Sequence, residues 1–238
     1  FEAGNAITVG TFNTLIGAGA GDAITGAVGG GGFNTALGSF SLTSDTLGND
    51  SVAIGINALN AQNFTTATDS HNTAVGYHAG KVITTGVENT LLGGLSGDAL
   101  TDADFNVALG YASLSGDTLG SKSTAIGYET LLAQNFTTAT DSHNTAVGYN
   151  AGTAVTTGTL NTLMGSLAGD ALTTGSFNVA MGYAALGAED TGSRNVAIGH
   201  LALSALNYDG AGYNIAMGYE AGTGYYECPE NGLSLIHL

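Results

Sequence analysis

Hydrophobic and polar positions alternate within a five-residue cassette that recurs twelve times along the chain. In Asn72-Thr73-Ala74-Val75-Gly76 the cassette reads Asn, Thr, Ala, an aliphatic residue and Gly; elsewhere Ser replaces Asn, Val or Ile replaces Thr, and Leu replaces Ala. Because the second and fourth positions alternate with the first, third and fifth, each cassette predicts a short β-strand. The twelve cassettes begin at Asn13, Asn34, Ser51, Asn72, Asn89, Asn106, Ser123, Asn144, Asn161, Asn178, Asn195 and Asn214.

The two faces of this predicted strand differ in the size of their side chains. We expect Thr or Val at the second position and the aliphatic residue at the fourth to form a continuous ridge of the core. The small Asn, Ala and Gly would then form the opposite face. Replacing Val75 and Val147 with Asp is accordingly expected to disrupt the fold, because it would bury a charge.

The cassettes are spaced by 17 residues, or by 19 or 21 where residues are inserted between them. The sequence also has a second, longer period. The fourth residue after each cassette glycine is Gly or Leu, in the order Gly-Leu-Leu-Gly, repeated three times. The array is therefore three copies of a four-cassette module of about 72 residues, and residues 61–77 are identical to residues 133–149.

A unit of 17 residues favours one rung of a solenoid. Helical repeats are longer, at about 33 to 47 residues, and each Gly opposes a helix by about 1 kcal/mol relative to Ala. We therefore predict an all-β fold, a parallel β-solenoid of about twelve rungs of 17–21 residues, with rungs stacked about 4.8 Å apart. The segments expected to form a second strand in the rung are 82–84, 100–101, 155–156 and 172–173. In three of these rungs a glycine, Gly86, Gly158 or Gly175, follows the segment and closes the coil.

Two columns of the predicted stack act as a structural ladder. The asparagines can bond to one another along the stack, as amide ladders do, and the glycines permit the positive φ needed at a corner. The asparagines are Asn13, Asn34, Asn72, Asn89, Asn106, Asn144, Asn161, Asn178, Asn195 and Asn214. The glycines are Gly17, Gly38, Gly55, Gly76, Gly93, Gly110, Gly127, Gly148, Gly165, Gly182, Gly199 and Gly218.

Charge narrows the set of partners. The formal net charge is −16, from 19 acidic and 3 basic residues, which argues against binding nucleic acid or an anionic membrane surface. No apolar run is long enough for a transmembrane helix, so no membrane insertion is expected, and no signal peptide is visible. The single cysteine, Cys228, excludes an intrachain disulfide.

All 22 charged residues lie outside the cassettes. A strand that is uncharged on both faces is typical of one buried on both faces. A thin solenoid covers only one of them, so we expect the cassette sheet to pack with its other face, the small Asn, Ala and Gly, against other copies around a symmetry axis. The alternative is a single chain whose small uncharged residues tolerate solvent.

The strings Asn-Thr-Ala-Val-Gly-Tyr-x-Ala-Gly, Asn-Val-Ala-Met-Gly-Tyr-Ala-Ala-Leu and Ser-Val-Ala-Ile-Gly-x-Asn-Ala-Leu resemble the head repeats of YadA-like trimeric autotransporter adhesins and related repeats of phage tail fibres. The resemblance covers residues 13 to about 222. It implies a left-handed β-roll, three chains per rod and an adhesive role at a cell or virion surface. The rung here is longer than the head repeat of that family.

Three sets of residues are candidates for chemistry. Asp69-Ser70-His71 and its copy Asp141-Ser142-His143 carry the residue types of a triad or a metal pair, but the two copies are about 19 Å apart at four rungs, and we interpret them as surface turns. Asp22, Asp98 and Asp170 lie in Gly-Asp-Ala turns that lack the calcium-binding β-roll signature. The tyrosines that follow the cassette glycine, a column suited to a receptor contact, are Tyr77, Tyr111, Tyr128, Tyr149, Tyr183 and Tyr219.

No catalytic, cofactor or metal site is expected, and the chain is not expected to be an enzyme. The leading hypothesis is a structural and adhesive extracellular fibre segment whose partners are itself and an unidentified receptor. The alternatives are a self-assembling filament subunit and an ice-binding solenoid, since seven of the twelve cassettes have Thr at the second position. The domain prediction is a partial rung over 1–12, the solenoid over 13–222, and a non-repeat tail over 223–238 that either caps the rod or is non-native.

Overall fold

The computed structural model describes residues 2–26, 30–207, 211–224 and 234–236. All regular secondary structure in these residues is β-strand, and every cassette contributes one three-residue strand from its second to its fourth position. The strands in chain order are β1 Thr14–Ile16, β2 Thr35–Leu37, β3 Gly48–Asn49, β4 Val52–Ile54, β5 Thr68–Asp69, β6 Thr73–Val75, β7 Thr90–Leu92, β8 Val107–Leu109, β9 Gly120–Ser121, β10 Thr124–Ile126, β11 Thr140–Asp141, β12 Thr145–Val147, β13 Thr162–Met164, β14 Val179–Met181, β15 Val196–Ile198, β16 Ile215–Met217 and β17 Ser234–Ile236.

The cassette strands stack in parallel with equivalent positions in register. Thr35 pairs with Val52 and Val52 with Thr73, while Ala53 pairs with Ala74 and Ala74 with Leu91. The same register continues through the sheet, whose order is β1-β2-β4-β6-β7-β8-β10-β12-β13-β14-β15-β16-β17. The prediction of a parallel β-solenoid of about twelve turns is therefore confirmed.

The two ends of the sheet continue the stack. Residues 2–8 lie against the first full rung, where the amides of Gly4 and Ala6 donate to the carbonyls of Ala20 and Asp22. At the other end, β17 pairs in parallel with β16. Apart from residues 223–224 and 234–236, the predicted non-repeat tail over 223–238 lies outside the described residues.

Our prediction of which face points inward was wrong. The third cassette position is inside, with Ala74 and Ala146 fully buried and Leu91 at 1% exposure, and the first position is buried with it. The second and fourth positions point outward, so Val75 and Val147 are only half-buried. The interior of a 17-residue rung is narrow, and larger side chains from the corners fill it. Only Ala, or Leu at a few rungs, fits beneath the strand.

The Gly-Leu-Leu-Gly period follows from how this interior is filled. A Cβ on the corner residue Gly80 would lie 2.8 Å from Leu91 Cδ1 and 3.0 Å from both Ile83 Cδ1 and Leu59 Cδ2. Where the corner residue is itself Leu, as at Leu59, the cassette above it supplies Ala74 instead. Large and small residues thus alternate so that the core reaches close packing without overlap.

The predicted second strand is a turn. Ile83 is fully buried, but its amide donates to the carbonyl of Gly80 three residues earlier, and this tight turn prevents an extended conformation. Thr84 still donates to Thr101 of the next rung at 2.9 Å. The described residues have two short ladders besides the main sheet, β3 with β5 and β9 with β11. Each ladder joins a 17-residue rung to the 21-residue rung that follows it.

The cassette glycine is required by conformation and by space. All twelve have φ between 128° and 143°, a region that side chains disfavour. A Cβ on Gly38 would lie 2.5 Å from the carbonyl oxygen of Gly55 directly above it. The other corners use residues with side chains in the left-handed region, for example Leu114 and Leu131 with φ of 55° and 50°.

Candidate functional site

A uniform surface of the solenoid is the outer sheet face, which we define as the second and fourth positions of all twelve cassettes. Several of its side chains are well exposed, for example Ile16 at 58% and Leu92 at 48%. None of its residues is charged. Its aliphatic column consists of Ile16, Leu37, Ile54, Val75, Leu92, Leu109, Ile126, Val147, Met164, Met181, Ile198 and Met217.

Beside this column runs a second, mixed column of Thr, Val and Ile from the second cassette positions. Twelve rungs at the spacing of parallel strands give the face a length of about 55 Å. Contiguous apolar surfaces of more than a few hundred Å² are unusual on a monomeric protein and mark contact sites. The sequence hypothesis placed these side chains in the core, so it missed this surface. The signal available was size, because the interior of so short a rung has no room for them.

The tyrosine column is exposed, as expected of a surface contact, but its rings stack on each other. Tyr128 lies between Tyr111 and Tyr149 at centroid distances of 5.5 and 5.4 Å. His200 lies between Tyr183 and Tyr219 at 5.3 and 5.0 Å. Stacking covers the faces of the central rings in the column. It leaves ring edges and hydroxyl groups toward solvent, so this column offers polar edges rather than a flat platform for a sugar ring.

Tyr77 differs from the other tyrosines of the column. Its ring stacks at 3.8 Å on His78, the next residue in the chain. Two other members of the column bond to acidic neighbours, and the hydrogen bond from the Tyr128 hydroxyl to Glu129 raises the pKa of Tyr128. The same arrangement with Glu220 raises the pKa of Tyr219.

The asparagine ladder is buried and bonds mainly to the backbone of the next rung. The Nδ2 of Asn161 donates to the carbonyl of Gly175 at 2.9 Å, and its Oδ1 accepts from the amide of Asn178 at 2.9 Å. Side-chain pairs were expected to dominate, but direct bonds such as Asn89 to Asn72 at 3.2 Å are the exception. From Asn13 to Asn178, each ladder asparagine thereby satisfies two backbone groups where the strand begins and the chain cannot do so itself. Toward the end of the ladder the pattern stops, since Asn195 Nδ2 has no hydrogen-bond partner.

A polar network that joins a 17-residue rung to the 21-residue rung stacked on it was not predicted. Asp45 is fully buried; its Oδ1 accepts from the amide of Gly48, and its Oδ2 accepts from Gln62 Nε2 at 2.7 Å. The amide group of Gln62 also donates to Ser51 and accepts from Asn72. Burial raises the pKa of the Asp45 carboxyl, and these hydrogen bonds oppose that rise.

The second module repeats this network with Asp117 and Gln134. The signal that would have revealed it is a polar residue seven positions after the cassette glycine, where five of the six Gly-cornered rungs have Ile, Leu or Val.

The Asp-Ser-His runs do not form catalytic triads. Ser70 is fully buried, and its Oγ lies 2.5 Å from Ser51 Oγ, whereas Asp69 and His71 on either side of it are exposed. The serine and the histidine therefore point to opposite sides of the chain. On the outside, Asp69 and His71 meet Asp50 from the rung below, and one ligand atom from each lies within 4.8 Å of the others.

The aspartates of the Gly-Asp-Ala turns remain separate from one another, because equivalent rungs lie about 19 Å apart. Partial burial raises the pKa of both Asp98 and Asp170. In the remaining Gly-Asp-Ala turn, Asp22 Oδ1 is buried and has no hydrogen-bond partner. Each turn thus contributes a single carboxylate rather than a cluster of oxygen ligands, which calcium requires.

No protein-family model, curated protein or solved structure matches this chain. Within the described residues, no helix has the length and apolar character to span a lipid bilayer. The functional proposal therefore depends on the surfaces described above and on the residues that carry the resemblance to adhesin heads.

Proposed function

We propose that this chain is a rigid segment of an extracellular fibre, in which three copies pack together through their outer sheet faces as a homotrimer. The observation that carries the proposal is the uncharged, partly exposed column of aliphatic residues along that face. Burying apolar surface stabilises association by about 25 cal/mol per Å² before the entropy of association is subtracted.

Charge favours another copy of this chain as the occupant of the face. Each copy has a net charge of −16, so most approaches of one copy to another bring like charges together. The outer sheet face has no charged residue. It is also periodic at the spacing of parallel strands, so the faces of identical rods match one another along their whole length.

The adhesive role and the extracellular location rest on the resemblance to YadA-like head repeats, which also implies left-handed winding. In this arrangement the outer sheet faces are turned toward the trimer axis. The surface columns that remain, including the exposed tyrosine edges at Tyr111 and Tyr149, are then available to a receptor or surface.

Paired substitutions on the two sides of the rod test the assembly. Leu92→Asp and Met164→Asp place charges on the outer sheet face, and Thr84→Asp places one on an exposed turn as the matched control. We expect the unmodified chain and the control to have the mass of three chains in analytical ultracentrifugation. The Leu92→Asp/Met164→Asp variant should have the mass of one chain and an unchanged β-type circular dichroism spectrum.

The same measurement separates the proposal from its alternatives. A single-chain mass for the unmodified protein at high concentration would refute the trimer. A broad distribution of growing mass would instead favour the self-assembling filament. A three-chain mass that persists in the Leu92→Asp/Met164→Asp variant would show that the chains associate through another surface.

An ice-binding solenoid is the second candidate because threonine hydroxyls lie on the outer sheet face. Seven of the twelve second positions are Thr, and these side chains point outward in register. Val or Ile occupies the other five positions, which interrupts the array. Thermal hysteresis in dilute solution would support this candidate, and ordinary freezing behaviour would exclude it.

A further inference from the structure

Three side chains that can bind a metal meet on the outside of the first module. Asp50 ends the second full rung, and Asp69 and His71 end the third. One ligand atom from each lies within 4.8 Å of the other two, and His71 Nδ1 is 4.0 Å from Asp50 Oδ2. All three residues are at least partly exposed, so an ion can reach them from solvent.

The backbone accounts for this meeting. Asp69 ends β5, and His71 lies two residues further on at a corner in the left-handed region, with φ of 48°. Because Ser70 is buried, both of its neighbours point outward. Asp50 and His71 both immediately precede a cassette and therefore stack in one column. The Asp69 carboxylate is oriented from below, since its Oδ1 accepts a hydrogen bond from Asn49 Nδ2 at 2.9 Å.

The second module holds a cation at the same place. Seventy-two residues along the chain, Lys122 replaces Asp50, while Asp141 and His143 keep the positions of Asp69 and His71. The Lys122 ammonium group lies 2.5 Å from Asp141 Oδ2. In the third module this position is Arg194, again a cation, which stacks between Phe177 and Tyr213.

The first module is thus the one in which this column position is an anion. We propose that Asp50, Asp69 and His71 bind a divalent transition-metal ion, Zn²⁺ in particular, which takes the place that the Lys122 ammonium group has in the second module. Two carboxylates and one imidazole are ligands that Zn²⁺ accepts, with water in the open position. Ca²⁺ and Mg²⁺ prefer oxygen ligands alone and do not favour the imidazole.

The bound ion acts as a clip between two rungs. It joins the end of the second full rung to the end of the third, which is one of the 21-residue rungs. The next residue in the column is Glu88, whose carboxylate adds to the negative potential around the site; the second module has Leu160 there. Since the ion binds the folded rung, it raises the melting temperature.

The internal repeat supplies matched variants for the test. All are made with Cys228→Ser, because a thiolate would bind zinc on its own. Zinc is titrated into the intact chain at neutral pH in competition with a chromophoric chelator. We expect one site per chain, at least about tenfold weaker binding in His71→Ala, as expected on losing a contact to the metal, and loss of the site in Asp50→Lys. The equivalent change in the second module, His143→Ala, should leave binding unaltered.

The reverse exchange is the stricter test. Lys122→Asp gives the second module the same three ligands, and we expect it to raise the stoichiometry from one zinc ion to two per chain. Zinc should raise the melting temperature of the parent but not that of Asp50→Lys, which keeps the circular dichroism spectrum of the parent. The proposal is overturned if His71→Ala and His143→Ala bind zinc alike, or if Lys122→Asp leaves the stoichiometry unaltered.

Discussion

Removing one asparagine of the ladder should destabilise the solenoid far more than removing a side chain from the outer face of the same rung. In Asn161→Ala, the carbonyl of Gly175 loses its donor and the amide of Asn178 loses its acceptor. Asn161 is 1% exposed, so water does not replace these bonds. Each buried group left unsatisfied costs about 1–3 kcal/mol, and the two together give a loss of about 2–6 kcal/mol.

The matched control is Thr162→Ala, which changes the next residue, on the outward side of β13. A surface substitution of this kind stays within about 0.5 kcal/mol of the parent. Guanidinium unfolding followed by circular dichroism measures the free energy of unfolding of both variants, and a thermal scan measures their melting temperatures. With a shift of roughly 2–4 °C per kcal/mol for a chain of this size, Asn161→Ala should melt about 4–24 °C below the parent. Equal stabilities of the two variants would refute the role of the ladder.

Three further outcomes follow from the packing and the charges. Gly152→Ala should destabilise the fold by about 1–3 kcal/mol through overpacking, since its Cβ would lie 2.6 Å from Leu163 Cδ1. Leu163→Ala opens that space, so the double variant should be more stable than the sum of the two single losses predicts. Burial raises the pKa of Asp98 and Asp170 above the ordinary 3.8, so their contribution to stability is complete below that ordinary pKa and is lost as the pH rises through the raised one. The melting temperature in high salt should therefore increase as the pH falls from neutral into the carboxyl range, and the increase should be smaller in Asp98→Asn/Asp170→Asn; an equal increase in both proteins would contradict this account. Leu91→Asp should abolish the β-type circular dichroism spectrum, because it places a charge in the interior, and a folded Leu91→Asp variant would show that the third cassette position is not inside.

The sequence predicts part of each candidate site, and only the stacking of the rungs reveals the rest. That Asp69 and His71 recur as Asp141 and His143 is evident from the repeat itself. The contribution of Asp50 is not, because it lies 19 residues before Asp69 and comes close only when the second and third full rungs stack. The buried Asp45 and its partners were likewise hidden, since a polar residue in a turn is ordinarily taken to face water.

The sequence by itself determined the period, the register and the strand. Twelve cassettes at nearly constant spacing can place like residues over like residues in few ways, and parallel stacking satisfies the backbone of each with the next. The tertiary structure decided which side of the strand is interior. Alternation defines two faces without saying which is inside, and hydrophobicity was a misleading guide, since aliphatic Val75 faces out and Ala74 faces in. The physical reason is volume: once Leu59, Ile83 and their equivalents fill the narrow rung, Ala fits beneath most of the strands, and the larger side chains are left on the outer sheet face.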